Sequence, residues 1–220
     1  MLQHRADEDA AETSARANAV AARNRLEQQA ARMVDDRGRP HDSRWWFTNS
    51  YVRTTEGAIE EADAGSFTDP LFIFRLITYF EKLYIDNVLA ADEGRWVEPH
   101  WQRAFDIAAH ADARRRVFAR MRNMEAVPSS IRAVVASVVA ASRAHVRFDL
   151  PRAMAWVQLN RPGGSGEGRI GTRIGDFMAM AAVFEQATLA ANVDVARHTG
   201  LPVQFMPGRI QEWGLPAVAG

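Results

Sequence analysis

The most hydrophobic stretch of the chain is the segment 71–89. Asp69 and Pro70 precede it, a pair that suits the N-cap and the first position of a helix. The helix that would follow, to about Ala91, is apolar on almost every side, which is typical of a helix surrounded by other helices. Four charged residues interrupt it, namely Arg75, Glu81, Lys82 and Asp86. Because each would be costly inside a bilayer, the segment predicts the central helix of a bundle and no membrane span.

Helical periodicity extends over most of the remaining chain. Phe47, Tyr51 and Thr55 recur at four-residue steps and so share one face of a helix. Further helices are predicted at residues 47–62, 100–124, 130–148, 151–159 and 170–197. No stretch alternates convincingly between apolar and polar residues, which indicates little β-structure. The sequence therefore predicts an all-α fold, a single-domain orthogonal bundle of about six to seven helices.

The two ends of the chain differ from this bundle in composition. Residues 1–43 are rich in alanine and arginine, which favour a helix, but they offer few large apolar side chains. They are interpreted as a helical or partly disordered arm, with formation of a homodimer or of a lid as the alternative. The predicted bundle covers residues 44–200 and contains a glycine-rich connector at 160–169. Residues 201–220 contain prolines and are expected to form an irregular tail that packs on the bundle.

Composition excludes several kinds of chemistry. The chain has no cysteine, which excludes disulfides, thiolate metal sites, iron–sulfur clusters and a cysteine nucleophile. Its 27 basic and 27 acidic side chains balance, so no net field would attract nucleic acid or an anionic membrane. The first residues lack the apolar core of a signal peptide, and we expect a cytoplasmic protein. No cofactor is expected, although a divalent metal is kept as an alternative.

One histidine occupies a position suited to chemistry. His145 continues the apolar stripe of its predicted helix, and Asp149 follows one turn later on the same side. An imidazole beside a carboxylate suits general acid–base catalysis, and the same pair can ligate a first-row metal. Two structural explanations compete with a site. His145 could be a core histidine with a single hydrogen bond, and Asp149 could cap the helix that begins near Pro151.

A second carboxylate is expected in the interior. Asp86 lies on the central helix, where an unpaired buried carboxylate would be costly. It is interpreted either as part of a site or as half of a structural ion pair with Arg75, Lys82 or an arginine of another helix. His100 stands at the predicted start of a helix and is expected to cap that helix or to face water.

Two strings resemble the signature regions of a family of uncharacterised all-helical bacterial proteins. They are FTDPLFIFRLITYFEKLYIDNVL, with the pattern DP-x-F…F-x-x-x-Y-x-D, and SRAHVRFDLPRAM, with the pattern His-(Ile/Val)-x-x-Asp-Leu-Pro. The resemblance covers about residues 45–197 and implies an all-helical single domain. It also implies that His145, Asp149 and Asp86 belong to one site. It implies no particular reaction.

Three functions are open for such a bundle. The first is a non-redox enzyme of cyclase, isomerase, lyase or hydrolase type, in which His145 is the general acid or base and Asp149 or Asp86 orients it. An apolar small-molecule substrate would lie in a helical pocket. The residues expected to bind it are Tyr51, Phe74, Arg75, Trp101, Trp156 and Asp176. The second is a metal-dependent hydrolase or lyase that uses His145, Asp149 and Asp86, with Asp176 as a further candidate ligand. The third is a non-catalytic ligand-binding or interaction module.

Overall fold

In a computed structural model, the protein folds into seven α-helices over the residues that the structure describes. The backbone is described at residues 2–121, 126–160 and 174–199. Side chains are described at residues 7–113, at 133–160 and at most positions of 175–194. The helices are α1 (Leu2–Ala31), α2 (Trp45–Asp63), α3 (Pro70–Asp92), α4 (Pro99–Met121), α5 (Ala126–Ala144), α6 (Leu150–Leu159) and α7 (Ile174–Thr199). A π-helical turn, His145–Asp149, joins α5 to α6.

The all-α prediction is confirmed. Within the described ranges there is no strand, and β-pairing is limited to one isolated bridge between Val34 and Pro40. In the same ranges, no helix combines the length and the apolar character needed to cross a bilayer. The tail predicted at 201–220 and most of the glycine-rich connector lie outside the described residues.

The central helix forms as its sequence predicts. The Asp69 carboxylate accepts a hydrogen bond from the Phe72 amide at 2.9 Å, and Pro70 is the first residue of α3. This cap satisfies one of the amides that a helix start leaves without an internal partner. Helices α1, α2 and α6 and the π-helical turn all pack against α3. It is therefore the element around which the rest of the chain is arranged.

The amino-terminal arm is part of the bundle. Helix α1 packs on α2 and α3 through small side chains that recur every three or four positions. The buried residues of this stripe are Ala15, Ala19, Ala22, Leu26 and Ala30. The predicted helix forms, and this stripe packs against the bundle and does not face solvent. A homodimer through the arm stays a prediction, and it would need a surface other than this covered stripe.

An ion pair between a partly exposed arginine and a buried carboxylate joins α1 to the central helix. The Arg25 Nε and Nη2 atoms donate to the two carboxylate oxygens of Glu81 at 2.8 and 2.7 Å, and the Glu81 side chain is fully buried. Burial raises the pKa of Glu81, while the Arg25 guanidinium opposes that rise. Glu81 therefore depends on Arg25 to remain ionised inside the bundle.

Replacing Arg25 by alanine is expected to lower the free energy of unfolding by about 2–4 kcal/mol, because it strands a buried carboxylate. Urea unfolding would measure the change. Arg16→Ala is the matched control, since Arg16 makes the same two-bond contact from α1 to Asp63, where both side chains are exposed. We expect a much smaller change for this control. Equal changes for the two variants would contradict a special role for Arg25.

The chain passes from α5 to α6 without leaving the helical path. The Leu150 amide donates to the His145 carbonyl oxygen, five residues back, which defines the wider π-helical turn. Pro151 gives a physical reason, because it has no N–H for the Arg147 carbonyl and its ring would crowd that oxygen in a regular α-helix. The predicted helices at 130–148 and 151–159 are thus one continuous element with a widened turn. That turn carries both His145 and Asp149.

Two apolar clusters make up the core. One joins α1, α2, α3, α6 and α7 and includes Phe72, Phe74, Val157 and Val183. The other joins α1–α5 and is rich in aromatic rings, namely Trp45, Trp46, Phe47, Tyr51, Tyr84, Trp101 and Phe105. The π-helical turn places His145 against the aromatic cluster.

Candidate functional site

The site is built on a buried pair at the π-helical turn. The His145 Nδ1 atom lies 2.9 Å from Asp149 Oδ2, and both side chains are buried. The Asp149 side chain makes no capping bond to α6, so the interpretation of Asp149 as a helix cap is wrong. His145 bonds a carboxylate and not a backbone carbonyl. The structure therefore brings together the two residues that the sequence placed on one helix face.

Three further side chains lie close to the Asp149 carboxylate, two from α4 and one from α6. The Trp101 indole N–H donates to Asp149 Oδ2 at 2.9 Å. His100 Nε2 lies 3.2 Å from Oδ1, and the Arg152 Nη1 atom lies 3.8 Å from the same oxygen. Asp149 is thus a buried carboxylate whose charge is balanced by several N–H donors, as buried charges require.

His100 is a part of the site that sequence reasoning missed. It was expected to cap α4 or to face water, yet its side chain is only 11% exposed and contacts Asp149. The Phe148 ring stacks on the His100 imidazole, with centroids 4.6 Å apart and planes 16° from parallel. Next to it, Glu98 accepts a bond from Arg152 at 2.6 Å. The buried Asp149 is linked through His100 to this polar group nearer the surface.

Aromatic rings surround the His145 imidazole. Phe80 stacks on it with centroids 3.5 Å apart and planes 3° from parallel, and the Tyr51 ring lies edge-on with its centroid at 4.7 Å. Three more rings have centroids within 6.0 Å, those of Phe47, Tyr84 and Trp101. The imidazole therefore has one polar side, at Asp149, and otherwise faces hydrocarbon.

Two of the polar side chains that meet at His145 each have an atom that is buried without a hydrogen-bond partner among the described residues. These atoms are His145 Nε2 and the Tyr51 hydroxyl. Buried polar atoms in proteins are nearly always hydrogen-bonded, and an exception is explained by strain, a catalytic role, or a bound water or ion. Each of these atoms is able to form a further hydrogen bond inside an apolar surround.

Burial sets the protonation states here. It lowers the pKa of His145, although the bond to Asp149 opposes the shift. The lowered pKa favours a neutral imidazole near pH 7, and a carboxylate partner that can only accept favours the proton on Nδ1 and a lone pair on Nε2. The pKa of His145 is lower in the folded protein than in the unfolded chain. The free energy of unfolding therefore includes the full contribution of neutral His145 above about pH 6.5. That contribution is lost as the pH falls through the pKa of the folded protein. Burial also raises the pKa of Tyr51 well above 10.0, so its phenol stays protonated.

Asp86 is not part of this group. Its side chain is 56% exposed and pairs with Lys82, one turn earlier on α3. The interpretation of Asp86 as a buried carboxylate beside His145 is wrong, because the outward side of α3 carries this pair into water. The alternative interpretation, an ion pair with Lys82, is correct. An exposed pair of this kind adds little stability.

The residues expected to bind a substrate divide into two groups. Tyr51 and Trp101 contact His145. Four others lie elsewhere, namely Phe74, Arg75, Trp156 and Asp176. Phe74 is buried in the other apolar cluster, and Trp156 is partly exposed and stacks on Tyr79 with centroids 4.3 Å apart. Arg75 is half-buried on α3, and no contact among the described residues joins it to His145.

Asp176 has a structural position. Its carboxylate accepts bonds from the Thr68 and Asp69 amides at 2.6 and 3.2 Å, and so ties α7 to the turn before α3. The metal ligand set predicted from the sequence, His145, Asp149, Asp86 and Asp176, is therefore not assembled. A different set could hold a cation, because Glu98, His100 and Asp149 each offer a donor atom within 4.8 Å of the other two.

An open groove of about 330 Å³ lies away from His145, between α1, α2 and α7. Its lining includes Ala30, Trp45, Asn49, Arg53 and Asp194. Asn49 and Arg53 both donate to the Asp194 carboxylate, so the polar wall of the groove is already bonded within the protein. The groove does not supply the apolar pocket around His145 that the first functional hypothesis expects.

Comparisons with known proteins agree with the resemblance seen in the sequence. Neither the curated proteins nor the solved structures contain a significant match to the chain. A family model, described as a family of unknown function (DUF5995), matches residues 19–213. The match takes in all the site residues and begins within α1. Since it spans most of the chain, the protein belongs to this family of unknown function, DUF5995.

Proposed function

We propose that the protein is an enzyme that carries out acid–base chemistry on a small apolar molecule, with His145 as the acid or base. The observation that supports this most is the state of the imidazole. Its Nδ1 atom is held by Asp149, whereas its Nε2 atom is buried with no partner in the described structure. A neutral imidazole fixed in one tautomer, with a free lone pair in an apolar surround, suits general base catalysis.

Each neighbour has a defined part in this proposal. His145 Nε2 takes a proton from the substrate, and the Asp149 carboxylate stabilises the imidazolium that forms. The Tyr51 phenol remains protonated and can donate to a substrate oxygen. The proton then returns from Nε2 to another atom of the substrate or to the leaving group. Isomerisation, cyclisation and elimination fit this scheme, and hydrolysis fits it when Nε2 takes the proton from an attacking water and returns it to the leaving group.

Access to Nε2 requires a ring to move. The Phe80 ring covers one face of the imidazole at 3.5 Å between centroids, and Tyr51 approaches its edge. Phe80 is only partly buried, whereas the other rings around His145 are buried. We propose that substrate binding displaces this ring and takes over its contact with His145.

The tight packing favours one alternative, a non-catalytic module that binds an apolar ligand in the same place. A single experiment separates the two functions. A panel of small apolar ketones, esters and lactones is incubated with the protein in D₂O, and ligand binding is followed by thermal shift. Mass spectrometry then measures deuterium incorporation or conversion. An acid–base enzyme exchanges a carbon-bound proton or converts a ligand, whereas a binding module only shifts the melting temperature.

A further inference from the structure

Three side chains that could bind a metal ion meet beside the His145–Asp149 pair. Glu98 and His100 flank Pro99 at the start of α4, and Asp149 ends the π-helical turn. One donor atom from each lies within 4.8 Å of the other two. His100 Nε2 and Asp149 Oδ1 are 3.2 Å apart. Ligands of a tetrahedral zinc ion lie about 3.3 Å from one another, so this pair already has the spacing of two ligands.

The surroundings fix these donor atoms in place. Asp149 Oδ2 is held by the Trp101 indole and by His145, each at 2.9 Å, which leaves Oδ1 directed at His100. Phe148 stacks on the His100 ring and fixes its plane. Metal-binding carboxylates and imidazoles in proteins are usually oriented by such outer contacts. Two independent features thus point to a ligand, the set of donors and the support behind it.

The exposure of the group allows a cation to enter. Asp149 is fully buried, whereas His100 and Glu98 are 11% and 23% exposed, so the donors span the boundary between interior and solvent. Water can therefore complete the coordination of a cation bound here. Three protein ligands with an open side are typical of metal sites that retain water or bind a substrate.

Arg152 is the present counter-cation of the two carboxylates. Its Nη1 atom lies 2.6 Å from Glu98 and 3.8 Å from Asp149 Oδ1, and the side chain is 48% exposed. We propose that Glu98, His100 and Asp149 bind a first-row divalent cation such as Zn²⁺ or Co²⁺, and that the cation displaces the Arg152 guanidinium into solvent. An imidazole with two carboxylates suits these cations. This site is separate from Nε2 of His145 and does not depend on the proposed reaction.

Titration of tag-free, chelator-stripped full-length protein with Zn²⁺ tests the proposal, with heat measured by calorimetry. Co²⁺ is the second probe, because its visible absorption reports the coordination geometry. We expect one cation per chain. Loss of an outer contact lowers metal affinity by up to about 100-fold, and loss of a direct ligand should cost at least as much. His100→Gln should therefore lower the Zn²⁺ affinity at least about 100-fold. His110→Gln is the matched control, because His110 lies exposed on the same helix and should not affect binding.

Arg152→Gln supplies a variant that acts in the opposite direction. It removes a competing charge from an exposed position, so the fold should be retained and the Zn²⁺ affinity should rise about tenfold. If His100→Gln does not fold, as judged by circular dichroism, this variant and Glu98→Gln decide the matter. The proposal is overturned if the wild type releases no heat with Zn²⁺ and shows no Co²⁺ absorption. It is also overturned if the wild type and the folded ligand variants bind the cation equally well. Neither result depends on whether His145 is catalytic.

Discussion

Replacing Asp149 by alanine is expected to lower the free energy of unfolding by about 3–5 kcal/mol, the largest loss that any single site substitution should produce here. The carboxylate is fully buried and accepts bonds from His145 and Trp101, with His100 at its other oxygen. Without it, the His145 and Trp101 N–H groups are left buried with no acceptor. Chemical denaturation in urea measures the loss.

Two further variants test the cause. Asp149→Asn keeps the shape but places an amide NH₂ against N–H donors, so it should also destabilise, by about 2–4 kcal/mol. Asp86→Asn is the matched control, since Asp86 is an exposed carboxylate paired only with Lys82, and it should change stability by no more than about 0.5 kcal/mol. A loss for Asp149→Ala as small as that for Asp86→Asn would contradict the role of Asp149 as the organising acceptor.

The second large effect concerns turnover. In the D₂O panel, His145→Gln is expected to lower the rate of exchange or conversion of an accepted ligand by about 10²–10⁴-fold, the usual contribution of a general acid or base. Glutamine can still donate an amide hydrogen to Asp149, so the melting temperature should change little. The substitution removes the titratable nitrogen and leaves most of the packing.

His110→Gln serves as the control here as well, because it changes an exposed histidine with no described contact to the site. Its rate should equal that of the wild type. If His145→Gln and His110→Gln both retain the wild-type rate, His145 is not the acid or base. If ligands bind to all three proteins and none is exchanged or converted, the protein is a binding module.

The helices could be predicted because their signals are local. Asp69 and Pro70 mark the start of α3, and the four-residue steps of Phe47, Tyr51 and Thr55 mark the buried face of α2. The pairing of His145 with Asp149 was also local, since both lie on one turn of helix. The packing of the arm was not predicted, because alanine contributes little hydrophobicity, although its spacing in α1 lets the helices approach closely.

Contacts between distant residues could not be predicted. Asp149 bonds His100 and Trp101, which lie 49 and 48 positions away, and no local pattern records such a contact. One signal in the sequence did point to this contact. A buried carboxylate needs N–H donors, and His100 and Trp101 are adjacent rings that carry N–H groups at the start of a helix. Asp86 was misplaced because a helix that is apolar on almost all sides does not show which side faces water. The Lys82–Asp86 spacing was the better guide.

The tautomer and charge of His145 test the account most directly. Long-range ¹H–¹⁵N NMR of the chelator-treated protein reports both imidazole nitrogens, and the spectrum of His145→Gln identifies the His145 signals by their absence. We expect Nδ1 to carry the proton and Nε2 to be unprotonated at pH 7, with this state persisting below about pH 6.5, the usual pKa of histidine. An imidazolium at pH 7, or a proton on Nε2 in place of Nδ1, would contradict the proposal that His145 offers a free base to a bound molecule.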